Sequence, residues 1–324
     1  MKFALVGCGL IGGKRAEAIG CKNELIVAVD LDPRRAEALG SRYGVNTSGD
    51  WRAAIDSNAD VVIVATAHDS LAELAVAAIN AGKHVLVEKP GGRTLAEVRS
   101  IADAADLAGK HVKVGYNHRF HPAMLKARTL VDAGELGPLM FIRGRYGHGG
   151  RVGYEQEWRF KRSMSGGGEL LDQGSHLIDL AHWYLGEFTD VAGRLETYFW
   201  KSNVEDNAFL TLSTPSGQIA WLHASWTEWK NMFSLEIYGR DGKIEITGLG
   251  GSYGIERLAF YKMSPQMGPP DTTIWEWPFP DRSWSVEIAE FVAAIEDGRS
   301  PVGNIHDAVH TMSIVDQLYV GAKG

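Results

Sequence analysis

Asp172 and His176 stand four residues apart in Asp172-Gln173-Gly174-Ser175-His176, inside a stretch whose composition reads as helix. That spacing puts both side chains on one helical face. An imidazole there can take a proton from an alcohol, and a carboxylate one turn away can orient it and adjust its basicity. The same spacing also suits an ordinary surface pair. Gly174 weakens a helix, which points to close packing at that turn, and Gly166-Gly167-Gly168 precedes the segment as a flexible lead-in. Lys89, in Glu88-Lys89-Pro90, is a second reactive group. It follows an apolar run directly, and the Lys-Pro link restricts the backbone and is open to a cis bond. It reads either as a ligand-facing ammonium or as a lysine in a surface turn.

Gly7-Cys8-Gly9-Leu10-Ile11-Gly12 has the form G-x-G-x-x-G. It follows an apolar strand, opens a helix, and has Asp30 at the end of the next strand, 18 residues after Gly12. In that context the pattern is a dinucleotide fingerprint. Gly7 permits the tight turn, Gly9 lets backbone approach a pyrophosphate, and Gly12 lets helix and strand pack closely. The helix N-terminus, from Leu10 and Ile11, offers N–H groups to phosphate. Asp30 suits the adenosine ribose, and its charge would repel a 2′-phosphate, so NAD is favoured over NADP. Arg34 and Arg35 leave NADP open, since they either embrace a phosphate or sit solvated on the next helix. The carboxyl ends of the strands face the ligand in such sheets. The expected nucleotide contacts therefore also include Leu31 after the second strand, Ala65, Thr66 and His68 after the third, Glu88 and Lys89 after the fourth, and Asn117 after the fifth.

Tyr116-Asn117-His118-Arg119-Phe120 mixes polar and aromatic groups and reads as a crevice wall, with Asn117, Arg119 and Phe120 toward substrate. Arg145, Arg151, Trp158 and Arg159 form a further set of cations and aromatics. They suit a polyol, a carboxylate or a phosphate, or else plain surface.

These groups need elements to hold them. Up to about residue 120, apolar runs Lys2–Val6, Leu25–Val29, Val61–Ala65, His84–Val87 and Val112–Gly115 alternate with helical patterns at Leu10–Ile19, Pro33–Tyr43, Leu71–Ala81 and Leu95–Ala108. Continuous apolar runs suit strands buried on both faces, so this half is an α/β, doubly wound parallel sheet. Beyond it the spacing predicts helices at Pro122–Ala133, Glu169–Leu185, Val286–Asp297 and Asn304–Val320. Strands are expected around Leu139–Tyr146 and at Val191–Tyr198, Ala208–Thr214, Gln218–Trp226, Phe233–Gly239, Lys243–Thr247 and Glu256–Lys262. Pro215-Ser216-Gly217 and Arg240-Asp241-Gly242 read as hairpin turns. The expected layout is a Rossmann domain over 1–120 and an α+β domain with an open, mostly antiparallel sheet over 121–324.

The chain has 324 residues, 45% hydrophobic and 23% charged, with a net charge of -7. That composition suits a globular protein and argues against general nucleic-acid binding, which needs a basic surface. Cys8 and Cys21 flank the first helix, too far apart to pair, and are read as reduced thiols of a cytoplasmic protein with no metal site. Met1 to Cys8 looks like a lipoprotein cleavage box, but its apolar stretch falls short of the ~7–15 residues of a signal core. No run approaches the ~20 apolar residues of a membrane span.

With these motifs in place the sequence resembles the glucose-fructose oxidoreductase, inositol dehydrogenase and rhizopine catabolism family (Gfo/Idh/MocA). The resemblance runs through Gly7–Gly12, Glu88-Lys89-Pro90, Asn117-x-Arg119-Phe120, Trp158-Arg159, and Gly166-Gly167-Gly168 leading to Asp172-x-Gly174-x-His176. It implies an NAD(P)-dependent oxidoreductase acting on a secondary alcohol or ketone of a sugar, inositol or sugar-nucleotide. It implies Lys89 beside the nicotinamide, His176 as general acid/base and Asp172 assisting it. It also implies a homodimer or homotetramer formed through the second sheet, with no membrane partner. Two other readings stand beside it. One is a lyase or glycosidase using tightly held NAD transiently, though relatives of that kind tend to be longer. The other is a non-catalytic NAD-binding regulator, which would need none of Lys89, Asp172 and His176.

Overall fold

The computed structural model describes residues 1–266 and 268–321. They form two compact units. The first holds Met1–Asn117, Ser163–Gly166 and Trp284–Met312; the second holds His118–Arg162, Gly167–Ser283 and the chain from Ser313 onward.

The first unit alternates strand and helix: β1 (Lys2–Val6), α1 (Leu10–Ile19), β2 (Glu24–Val29), α2 (Pro33–Tyr43), β3 (Asn46–Ser48), the one-turn α3 (Arg52–Ile55), β4 (Val61–Val64), α4 (His68–Asn80), β5 (His84–Val87), α5 (Leu95–Ala108) and β6 (Val112–Val114). The strands form one parallel sheet in the order β3-β2-β1-β4-β5-β6. This is the Rossmann order, in which the chain reverses direction between β1 and β4. The apolar runs explain the sheet: every residue of β4 is buried, as are Phe3, Ala4 and Leu5 of β1. Local signals place the helices. Asp32 caps α2 by accepting from the Arg34 amide at 3.1 Å, Pro33 occupies the first turn, and Gly44 ends the helix in the left-handed region. Thr94 caps α5, accepting from the Glu97 amide at 3.2 Å.

The chain continues with α6 (Pro122–Asp132), β7 (Leu139–Gly147), the one-turn α7 (Arg162–Ser165), and a wide π-helical turn (Leu170–Gly174) that runs into α8 (Ser175–Leu185). Then come β8 (Asp190–Glu196), β9 (Asn207–Ser213), β10 (Ile219–Ser225), β11 (Met232–Gly239), β12 (Gly242–Thr247), β13 (Glu256–Lys262), β14 (Asp271–Trp277), α9 (Ser283–Glu296) and α10 (Ile305–Gly321). The eight strands of the second unit pair as β14-β13-β12-β11-β7-β10-β9-β8, antiparallel except for β7 beside β10. Both expected hairpin turns are present, between β9 and β10 and between β11 and β12. Burial alternates along β11 and β12, so one face of the sheet is covered. α6 and α8 pack on that face. The other face carries exposed Ile219, Trp221 and Ile274.

The expected single helix over Glu169–Leu185 is two pieces, because the turn holding Asp172 is wound wider than an α-helix. α9 returns to the first unit, where Ile288 and Phe291 join the core built on Phe3, Leu5, Ile63 and Leu86. No helix among the described residues is long and apolar enough to cross a membrane.

Candidate nucleotide and catalytic residues

Gly7 has a φ of +95°, and a Cβ there would come within 2.4 Å of the Ala65 carbonyl oxygen, where β4 ends beside β1. At Gly12 a Cβ would lie 1.9 Å from the Gly7 carbonyl oxygen. Both positions exclude any side chain. Gly9 is different: a Cβ would meet only the tip of Arg35, 4.0 Å away. Its open side is the approach a phosphate needs, and no side chain caps the N-terminus of α1 that follows. The chain therefore offers unclaimed amide donors where the fingerprint requires them.

Asp30 binds the loop to the next turn. One carboxylate oxygen accepts from the Cys8 amide at 2.7 Å and the other from the Asp32 amide at 2.8 Å. A carboxylate has about four acceptor directions, so two remain for ribose hydroxyls. Beside it lies a cleft of about 570 Å³ lined by Cys8, Gly13, Arg34, Arg35, Arg42 and Tyr43 among others. Arg34 pairs with Asp32 at 2.8 Å and Arg35 approaches the same carboxylate at 3.9 Å. Burial, then Asp30, pushes the Cys8 thiol up to about 12, so it stays protonated. Leu10 and Leu31 are exposed on this side.

Thr66 accepts from the Ser70 hydroxyl at 2.8 Å, and buried His68, the first residue of α4, meets the Ser165 carbonyl through Nδ1 at 2.8 Å. Glu88 is buried and Lys89 half-buried, and the Lys89-Pro90 bond is cis. Asn117, the last residue of this stretch of the unit, is also buried. Glu88 is bound by Arg15 at 2.6 Å. Sequence reading missed Arg15, an ordinary helical cation by type and spacing.

In the second unit, His176 is buried on α8, and its ring stacks on that of His118 with centroids 3.7 Å apart. Tyr146 of β7 closes the group, 5.2 Å from His118 and 5.1 Å from Tyr253, whose hydroxyl accepts from Gln173 at 3.2 Å. Burial in this aromatic cluster pushes the Tyr146 hydroxyl well above its ordinary range. One turn before His176, the Asp172 carboxylate accepts from Arg159 at 3.2 Å, and Arg159 also reaches Glu157 at 3.2 Å while lying over the Trp158 ring. Arg151 pairs with Glu157. The sequence singled out Asp172, Trp158, Arg159 and His176, and neither His118 nor Tyr146 as a neighbour of His176. Only the aromatic type of those two hinted at it.

Two expected substrate contacts are placed elsewhere. Arg119 turns into the unit and forms a two-pronged pair with buried Asp179, at 2.8 and 2.6 Å, while Phe120 is buried beside it in the chain. Arg145 lies between Gly144 and Tyr146 on β7, so it points to the exposed face, away from His176. The lead-in glycines answer to crowding rather than to flexibility. A Cβ at Gly167 would lie 1.8 Å from the Tyr319 hydroxyl, and one at Gly168 would lie 2.0 Å from the Glu205 carbonyl oxygen. The Glu205 side chain accepts from the amides of Gly168 and Leu170 at 2.9 and 3.2 Å and from Tyr319 at 2.7 Å, which fixes the start of the wide turn.

Residues 1–116 match the oxidoreductase family with an NAD-binding Rossmann fold, and residues 124–245 match the GFO/IDH/MocA C-terminal domain. A levoglucosan dehydrogenase of Pseudarthrobacter phenanthrenivorans is 33% identical over 195 residues, covering 59% of this chain and 50% of that one. An inositol 2-dehydrogenase of Rhizobium meliloti is 27% identical over 332 residues, covering 98% of this chain and 95% of that one. A solved structure of levoglucosan dehydrogenase in complex with NADH superposes with a TM-score of 0.90 at 26% identity, covering 100% of this chain and 97% of that one.

Proposed function

This chain belongs to the Gfo/Idh/MocA family of NAD-binding oxidoreductases, and from that premise we propose that it oxidises a ring hydroxyl of a neutral cyclic polyol, with His176 as the base. The observation that carries this reading is a buried imidazole, stacked on His118 at 3.7 Å, one helical turn from a carboxylate fixed by Arg159. Such a pair is built to move a proton, and the second unit offers it on a rigid helix.

NAD+ supplies the hydride acceptor when bound. The chain's own residues do the rest. The amides at the start of α1 and the open side of Gly9 hold the pyrophosphate, and Asp30 accepts from the adenosine ribose. Leu10 and Leu31 flank the adenosine end. His176 takes the proton from the substrate hydroxyl as the carbon–oxygen double bond forms. Lys89 donates to that oxygen and stabilises its developing charge. Asp172 orients the substrate hydroxyls and the base. NAD is preferred to NADP because Asp30 presents negative charge where a 2′-phosphate would lie.

The preference for a neutral substrate follows from where the cations are. Arg159 and Arg151 face carboxylates, Arg119 faces Asp179, and Arg145 points to the open sheet face. The related levoglucosan and inositol dehydrogenases carry uncharged ring polyols in their names. The first unit acts as the nucleotide module and the second as the substrate module. A second copy of the chain covers the exposed sheet face, giving a homodimer or homotetramer of a cytoplasmic enzyme.

Levoglucosan, myo-inositol and a uronic acid, each supplied with NAD+, test the reading through NADH absorbance. Turnover of a neutral ring polyol is expected. Turnover of the uronic acid alone would overturn the substrate class. Nucleotide released on denaturing freshly purified protein separates exchange from retention: little NAD(H) is expected, and near-stoichiometric NAD(H) would mean in-place recycling.

A further inference from the structure

A chain of buried charges crosses the first unit behind Lys89. Glu88 follows the last residue of β5, and its carboxylate is bound by Nε of Arg15 on α1 at 2.6 Å. Arg15 is fully buried, its Nη1 donates to Glu287 on α9, and its guanidinium lies over the Trp284 ring at 4.5 Å. Glu287 is 3.8 Å from Lys113, which is 3.6 Å from Glu290. Room is kept for this arrangement: a Cβ at Gly115 would lie 2.5 Å from Nη2 of Arg15 and 3.0 Å from Oε2 of Glu88.

Stability alone is a poor reason for such a cluster, since buried ion pairs seldom outperform apolar side chains of the same volume. Its placement gives a better one. Glu88 opens the turn in which Lys89 and Pro90 lie, closed by the Gly91 amide donating to the Glu88 carbonyl at 2.9 Å, so holding the Glu88 side chain fixes the backbone from which Lys89 departs. Burial holds the Glu88 carboxyl above its ordinary range, and Arg15, which binds it, is the strongest influence pulling the other way. Arg15 is held charged against its own burial by Glu287 and Glu88.

We infer that Arg15 and Glu287 are positioning residues for Lys89, acting through the Glu88 carboxylate, so that α9 sets the aim of an ammonium it does not touch. This rests on the role proposed for Lys89 above.

A double-mutant cycle tests it, using Arg15→Met, Lys89→Ala and both together, with myo-inositol or levoglucosan and NAD+ as substrates. Arg15→Met is expected to lower kcat by about 10- to 100-fold, the usual cost of a misplaced catalytic group. NAD+ affinity, read separately by tryptophan fluorescence titration, should stay within about threefold. In the Lys89→Ala background, Arg15→Met should cost no further activity, because the group it aims is already gone. Equal losses in both backgrounds would show a merely structural role and overturn the inference while leaving the role of Lys89 intact. Full activity in Lys89→Ala would overturn both. Glu287→Gln keeps the shape of the cluster and removes one charge, so it runs the same cycle if Arg15→Met does not fold. Arg15→Lys keeps the charge but not the fork, and should recover only part of kcat.

Discussion

At the scale of single residues, the strongest expectation concerns His176. Replacing it with alanine removes the base and should lower kcat by about 100- to 10,000-fold. Its side chain belongs to the second unit and the nucleotide loop to the first, so NAD+ affinity in the same fluorescence titration should hold. Unchanged turnover would dismiss the assignment. Two neighbouring glycines give a contrast of sign. Gly12→Ala drives a methyl into the Gly7 carbonyl oxygen, 1.9 Å away, and should cost about 2–3 kcal/mol in urea unfolding along with NAD+ binding. Gly13→Ala meets nothing within 4 Å on the same helix and should gain about 0.5–1 kcal/mol. The fingerprint glycines were legible because their pattern encodes a backbone path. Arg15 and Glu287 were not, because each is an unexceptional helix residue and the pair is separated by 272 positions. Arg145 shows the reverse failure: its type suggested binding, and only the register of β7 shows that it faces away.

At the scale of elements, apolar runs and caps carried most of the information. α1, α2 and α5 span the residues expected of them, as do β1, β5 and β13. β3 was missed because its three residues, Asn46, Thr47 and Ser48, are polar and sit at an edge where no burial pattern is imposed. β14, also missed, is an edge strand too; its Ile274, Trp275 and Trp277 favour a strand, but it is exposed at most positions and imposes no burial pattern. The wide turn at Leu170–Gly174 leaves no mark in composition; it is set by Glu205 and Tyr319, far along the chain. A pH dependence belongs to this scale too. Burial, then Lys110 and His111, draws His84 at the start of β5 down to about 4. The folded state thus binds fewer protons there than the unfolded chain. His84 supports the fold fully above its ordinary value near 6.5, and that support fades as pH falls toward about 4. Melting temperatures across this window should drop for the parent protein and drop less for His84→Asn; parallel curves would exclude His84 as a contributor.

At the scale of the whole molecule, the second sheet presents one covered face and one bearing Ile219, Trp221 and Ile274. If a second copy covers that face, Trp221→Asp should shift light-scattering mass to a smaller species at unchanged helix content, and an unaltered mass would remove this surface from the assembly. The path of the chain has its own consequence. The first unit is entered at Met1, left after Asn117 and completed only by Trp284–Met312, with Ile288, Phe291 and Glu287 arriving last. On the ribosome, the nucleotide module must wait with an unfilled hydrophobic seat and an arginine matched only by Glu88 until Trp284–Met312 has been made. A fragment ending before Trp284 therefore lacks the residues that complete the core of the first unit.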